Sequence, residues 1–215
     1  MSAHVEAETH PGSILSGRRI KLAIPRGVRL QIPDDDFFAF CRANPELRLE
    51  RTEDGVVEIM TPTSGGTGAK NARLTSRLVL WADADGEGIA FDSSTGFHLP
   101  GGATRSPDAS WVRRDRWNTL TEKEREEQFA PLCPDFVIEL RSRSDKSKRL
   151  HLLKQKMPSY LAQGARLGWL IDPITGRVEI HRPGRPVEVL DRPATLSGED
   201  VLPGFTLDLK GILFD

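Results

Sequence analysis

Residues 134–173 constrain this chain more than any other stretch, because they read strand, helix, strand with a carboxylate inside the first strand. Phe136, Val137, Ile138 and Leu140 form an apolar β-type run, and Glu139 interrupts it. A carboxylate there is costly to bury unless cations or hydrogen-bond donors receive it. Over residues 146–163, Leu150, Leu153, Met157, Tyr160 and Leu161 recur at helical spacing as one apolar stripe, which should pack on a sheet. Pro158 predicts a kink or restart near Met157, since proline removes a backbone donor and crowds the preceding turn. An apolar strand returns at 167–171. Upstream, Pro107-Asp108 opens another strand through Ala109, Ser110, Trp111 and Val112, so two acids mark the edges of two apolar strands.

The flanking segments add short elements. Ile20, Leu22, Ile24 and then Val28, Leu30, Ile32 alternate around Pro25-Arg26-Gly27, which predicts a strand pair. Asp34, Asp35 and Asp36 can cap a short helix carrying Phe37, Phe38 and Phe40, ended by Asn44-Pro45. Residues 47–51 and 56–60 flank Glu53-Asp54-Gly55 as a hairpin. Residues 63–68 read as a flexible loop before a helix with Leu74, Leu78 and Trp81 at helical spacing. Strands are expected at 89–91, 96–99, 177–181, 187–190 and 204–209, and a charged helix at 121–128. The result is an α/β domain, a mixed sheet flanked by helices with additional β-hairpins at the N- and C-terminal ends. Residues 1–17 are expected to form a flexible tail, and residues 18–215 a single domain.

Charge and motifs narrow the function. With 30 Lys+Arg against 31 Asp+Glu the net charge is −1, so the broad basic footprint of a dedicated nucleic-acid binder is absent. A local basic surface is still compatible with that balance, because an acidic metal site offsets it. Cys41 and Cys133 are far apart with no CxxC or Cys/His cluster, which predicts two small buried thiols and no zinc. The five histidines lack ligand spacing, and Gly65-Gly66-Thr67-Gly68 lacks the Lys-Ser/Thr of a phosphate loop. No serine-nucleophile motif occurs. No apolar run approaches the roughly 18 residues of a membrane helix, and the first residues do not read as a secretory signal, so a cytoplasmic protein is expected.

One set of residues carries a specific resemblance. Pro107-Asp108, Glu139 within Val137-Ile138-Glu139-Leu140-Arg141-Ser142, then Lys156, Tyr160 and Gly164 at four-residue spacing, and Trp169-Leu170-Ile171-Asp172-Pro173 follow in order. They resemble the Uma-type family of restriction endonucleases, within the PD-(D/E)XK nuclease superfamily. The similarity runs from the Asp34 helix start through Leu49-Glu50-Arg51 and Met60-Thr61-Pro62 to Leu202-Pro203-Gly204-Phe205.

The resemblance implies a restriction-endonuclease-like fold and metal-dependent hydrolysis of phosphodiester bonds in DNA. Asp108 and Glu139 would hold Mg2+, with Mn2+ as a substitute. The superfamily pattern puts a lysine two residues after the acid, where this chain has Arg141. A planar, delocalised guanidinium suits that role poorly. The resemblance therefore points to Lys156, on the following helix, as the cation. Glu50 matches an early family glutamate, which would complete the metal shell directly or through water; a solvated strand acid is the other reading. Asn71 would cap its helix or contact substrate. Asp135 shares a strand face with Val137 and Glu139 and is a candidate supporting acid, as is Ser142 a candidate supporting hydroxyl. Residues 61–69 and 113–125 would carry any specificity, and the superfamily habit of cutting two strands implies a homodimer. Two other readings stand: a catalytically inactive nuclease-fold module for nucleic-acid or protein interaction, and a structural homodimer built on the apolar hairpins.

Overall fold

The computed structural model describes residues 29–143, 145 and 147–214, so the expected tail and the Ile20 to Ile24 half of the strand pair lie outside the described residues. In chain order the elements are α1 (Asp34–Ala43), β1 (Arg48–Arg51), β2 (Val57–Met60), α2 (Gly65–Asp85), β3 (Gly88–Asp92), β4 (Phe97–His98), β5 (Thr104–Arg105) and β6 (Ala109–Arg113). They continue with α3 (Arg114–Asn118), α4 (Glu122–Glu126), β7 (Phe136–Leu140), α5 (Ser147–Ala162), β8 (Leu167–Asp172), β9 (Arg177–His181), β10 (Glu188–Asp191), β11 (Thr195–Ser197) and β12 (Thr206–Asp208).

A six-stranded mixed sheet, ordered β10-β9-β8-β7-β6-β3, organises the molecule. β7 lies at its centre, antiparallel to β6 and parallel to β8. A parallel neighbour requires a crossover, and α5 supplies it. Both faces are covered, which is why all five residues of β7 are buried. Phe136, Ile138 and Leu140 point to a core shared with Leu74 and Leu78 of α2, with Trp169, and with Leu196 and Leu207 of the β11–β12 pair. Val137 faces the second core with Met157 and Tyr160 of α5. Gly168 on β8 lets α5 sit close: a Cβ there would stand 2.6 Å from Met157 Cε. A four-stranded sheet, ordered β2-β1-β5-β4, completes the fold.

The expected mixed sheet and its flanking helices are present, and of the hairpins at the two ends β1–β2, β9–β10 and β11–β12 are described. Several local readings change. The acids at 34–36 do not cap α1; they fill its first turn behind Pro33, where the helix dipole favours them, and Asp34 instead pairs with Arg51 at 3.1 Å. The glycine-rich 65–68 stretch is the opening turn of α2 rather than a loop, with Ser64 as its cap. Of the expected strand ending at Ile32, the described part makes one isolated bridge, Gln31 to Val56. α5 runs through Pro158 without a break. Burying Met157 and Tyr160 completely outweighs the roughly 3 kcal/mol that an internal proline costs. Cys133 is buried, whereas Cys41 is only partly so. No described helix is long and apolar enough to cross a membrane.

Candidate active site

Register places the two strand acids side by side. Ala109 pairs with Ile138 across β6 and β7, so one step further Asp108 stands opposite Glu139 on the face turned toward α5. Directly opposed residues have Cβ atoms about 5 Å apart. Asp108 is held at both oxygens: Asn71 Nδ2 donates to Oδ1 at 2.9 Å, and the Leu140 backbone N–H donates to Oδ2 at 2.7 Å. Glu139 Oε1 accepts from the Tyr160 hydroxyl at 2.9 Å and lies 3.6 Å from the Lys156 ammonium. Lys156 and Tyr160 are one turn apart on α5 and so reach the same patch of sheet.

The lysine has a closer partner. Its Nζ is 2.7 Å from Glu50 Oε2 and 3.0 Å from Oε1. Glu50, on β1, also accepts from Arg105 at 3.0 Å and from the Ser106 backbone N–H at 3.2 Å. Arg105 in turn bridges to Glu58 at 2.6 Å. Glu50, Glu139 and Lys156 are 1%, 3% and 9% exposed, so this charge cluster is desolvated.

The electrostatics follow from that arrangement. Burial raises the Glu139 carboxyl to about 7; Lys156 opposes the rise, and Asp108 and Glu50 add to it. Burial likewise pushes Asp108 above the usual carboxylate range, against the pull of the Leu140 N–H, Lys156 and Asn71. Burial would raise Glu50 too, but Lys156 and Arg105 outweigh it and hold that carboxyl low. Burial would lower the Lys156 ammonium, and Glu139 and Glu50 overcome it to hold the lysine above its ordinary value. Three buried acids thus share two cations, and the deficit falls on Asp108 and Glu139.

The residues fit a hard divalent ion of limited demand. Mg2+ keeps several waters and takes one or two carboxylates, and Asp108 and Glu139 offer that donor set. Among the described residues no group of three or more His, Cys, Asp or Glu converges to hold a metal, so a full protein cage is not on offer. Asn71 Oδ1, buried without a hydrogen-bond partner, adds an acceptor beside Asp108. Asp108, Glu139, Asn71 and Lys156 line a cleft of about 500 Å3 between β2, the N-terminal half of α2 and α5, whereas Glu50, Arg105 and Tyr160 do not.

Asp108, Glu139, Lys156, Glu50 and Asn71 are therefore brought together. Arg141 and Asp135 are not. Arg141 follows the end of β7 and pairs with Asp172 at 2.7 Å, leaving the space between the acids free of guanidinium. Asp172 also accepts from the Ile174 N–H in the turn after β8. Asp135 lies about 13 Å along β7 from Glu139, four residues at strand rise. There it accepts from the Arg113 N–H at 2.9 Å and pairs with Arg116 at 2.9 Å, tying β6 and α3 to the strand start. It supports the fold, not the site. Ser142 does line the cleft, 3.4 Å from Thr67 Oγ1. Residues 61–63 and 67 line it as well, whereas 113–125 form α3 and α4 and do not.

Sequence reasoning missed two participants. Tyr160, the only tyrosine of the chain, was absorbed into the apolar stripe of α5, although its place four residues after Lys156 signals a shared target. Arg105 sits on a two-residue strand too short to show any periodicity.

Comparison with known proteins agrees with this architecture. A family model, Uma2, described as "Putative restriction endonuclease", matches residues 34–210. No curated protein matches the chain. Among solved structures it is similar to one described as a "putative nuclease belonging to DUF820" from Anabaena variabilis, with a TM-score of 0.64 and 21% identity. That likeness covers 78% of this chain and 90% of the other, and it speaks to the fold.

Proposed function

We propose, from the premise that this chain belongs to the Uma2 family of restriction endonucleases, that it is a metal-dependent endonuclease hydrolysing phosphodiester bonds in DNA. The observation that carries the reading is the cross-strand pair of buried acids, Asp108 and Glu139, backed by Lys156 at the bottom of a cleft. Asp108 and Glu139 would hold Mg2+, or Mn2+ in its place. Held there, such an ion would supply positive charge beside the scissile phosphate and lower the pKa of a water.

The chain's own groups do the rest. Asn71 and the Leu140 N–H fix the Asp108 carboxylate, and the Tyr160 hydroxyl fixes Glu139. Glu139 and Glu50 keep the Lys156 ammonium charged, and Arg105 helps hold Glu50 ionised, so the lysine stays beside the acids, where it would offset negative charge developing on the phosphoryl oxygens. Preorganised charge in a desolvated site needs no rearrangement during the reaction, which is why it is effective.

The test is cleavage of a labelled DNA substrate by the wild type and by Asp108→Ala, with Mg2+ or Mn2+ and with EDTA. Cleavage should need the metal and fall by at least 100-fold in Asp108→Ala. Cleavage in EDTA, or a variant as fast as the wild type, would sink the reading.

A further inference from the structure

The cleft does not suit the outside of a duplex. Among the described residues four acids line it (Glu58, Asp108, Glu139 and Asp145) against three cations, Arg48, Arg149 and Lys156. Each cation already has a partner: Arg48 donates to the Ser93 carbonyl, Arg149 pairs with Asp145 at 2.9 Å, and Lys156 pairs with Glu50 at 2.7 Å. Duplex DNA carries one negative charge per roughly 1.7 Å of axis, and proteins that grip it present bands of Lys and Arg to its phosphates. Among the described residues the cleft presents no such band, and the net charge of the chain is −1.

The remaining wall is aliphatic. Ile59, Met60 and Pro62 line one side and Leu152 and Leu153 the other, and Ile59 and Leu152 are 42% and 41% exposed. Arg149 reaches from α5 to Met60 Sδ at 3.9 Å, so the two walls meet across the cleft while Glu139 and Lys156 lie below, almost fully buried. A cavity of about 500 Å3 is in the range that holds one small ligand, about the bulk of one or two nucleotides. A duplex keeps its base faces inside the stack and turns phosphates outward. An unpaired strand exposes those faces and is narrow enough to enter.

Building on the nuclease reading above, we infer that the substrate is an unpaired strand of nucleic acid, such as a flap, gap or single-stranded end. Its base faces lie against Ile59, Met60 and Leu152, and one phosphodiester reaches Asp108 and Glu139. Among the described residues no aromatic side chain lines the cleft, so aliphatic contact holds the bases by desolvation and reads no sequence. One strand needs one site, so a second copy is not required for cutting.

The experiment uses the full chain, three labelled DNAs of one sequence (a strand without secondary structure, its blunt duplex, and a duplex with an unpaired arm) and two readouts. Cleavage is followed in Mg2+ and Mn2+, and binding by fluorescence anisotropy in Ca2+. The strand and the unpaired arm should be cut and bound at least tenfold better than the blunt duplex. Ile59→Asp and Leu152→Glu, at exposed positions, should each weaken strand binding about tenfold with the thermal melt unchanged. A blunt duplex cut or bound as well as the strand overturns the inference and leaves the nuclease reading standing. Strand-selective binding with no cleavage of any DNA supports the inference and removes the nuclease reading. Binding of neither strand nor duplex at low salt, or variants that bind like the wild type, overturns the inference.

Discussion

Glu139 is the most informative position to perturb, because its burial predicts a sign that exposed glutamates do not show. In the unfolded chain its carboxyl titrates near 4.5, whereas in the folded protein burial moves it to about 7. The folded state therefore binds this proton more tightly than the unfolded state does. Below pH 4.5 both states are protonated and Glu139 contributes nothing to the pH dependence. As pH rises from 4.5 to 7 the unfolded chain ionises first, and stability drains away until both states are ionised. At about 1.4 kcal/mol per pH unit, that interval of about 2.5 amounts to roughly 3 kcal/mol. Glu139→Gln abolishes the titration, keeps an acceptor for the Tyr160 hydroxyl and leaves Lys156 on Glu50. In EDTA the variant should match the wild type near pH 4.5 and exceed it above pH 7 by up to about 3 kcal/mol, roughly 6–12 °C in melting temperature for a chain of this size. Millimolar Mg2+ should then raise the wild-type melt at pH 8 and barely move the variant, since binding to the native state alone stabilises it. Urea denaturation and thermal melts across pH 4.5–8.5 measure both effects. Parallel pH profiles for the two proteins, or a variant less stable at pH 8, would refute the account of a carboxylate short of a cation.

Three further substitutions separate catalytic from structural cations and acids. Lys156→Ala should lower kcat by about 100-fold or more while Mg2+ still shifts the melt, whereas Arg141→Ala, which breaks only the Asp172 pair, should cost about 1 kcal/mol of stability and leave cleavage within a few-fold of wild type. Asp135→Ala should cost about 2–3 kcal/mol by stranding the Arg113 N–H and Arg116, with cleavage per folded molecule unchanged below the melt.

What could be read from the sequence divides along a physical line. Period-two and helical hydrophobic patterns report burial, and the buried strands β6, β7 and β8 and the stripe of α5 were legible for that reason. β5, β11 and α3 were not, since strands of two and three residues and a helix of five, less than two turns, show no period of their own. Pro158 misled because local propensity was set against packing: a proline that would break a free helix is retained where Met157 and Tyr160 are fully buried. The 65–68 glycines misled for the converse reason. Their propensity is poor, but they occupy one turn of a 21-residue helix anchored by Leu74 and Leu78.

The same line runs through the site. Asp108 and Glu139 declared themselves because an acid in or beside an apolar strand is costly and therefore informative. Side-chain direction past a strand end is not periodic, so sequence could place Arg141 two residues from Glu139 without revealing that it turns to Asp172. Asp135 shared the correct face at the wrong end of the strand: alternation gives the face, and only the tertiary arrangement gives the distance to Arg116. Lys156 was legible as a cation and not as half of a pair. Its shortest contact is to Glu50, which lies 106 positions away and in a different sheet. That link has a consequence for mechanism. Glu139 and Glu50 together hold Lys156 charged in a desolvated pocket, with its shorter contact on Glu50, so that on the nuclease reading Asp108 and Glu139 would stay open to a metal ion. A lysine paired directly with both acids would quench them. By drawing the ammonium to 2.7 Å and leaving Glu139 at 3.6 Å, Glu50 keeps the two functions in one small space.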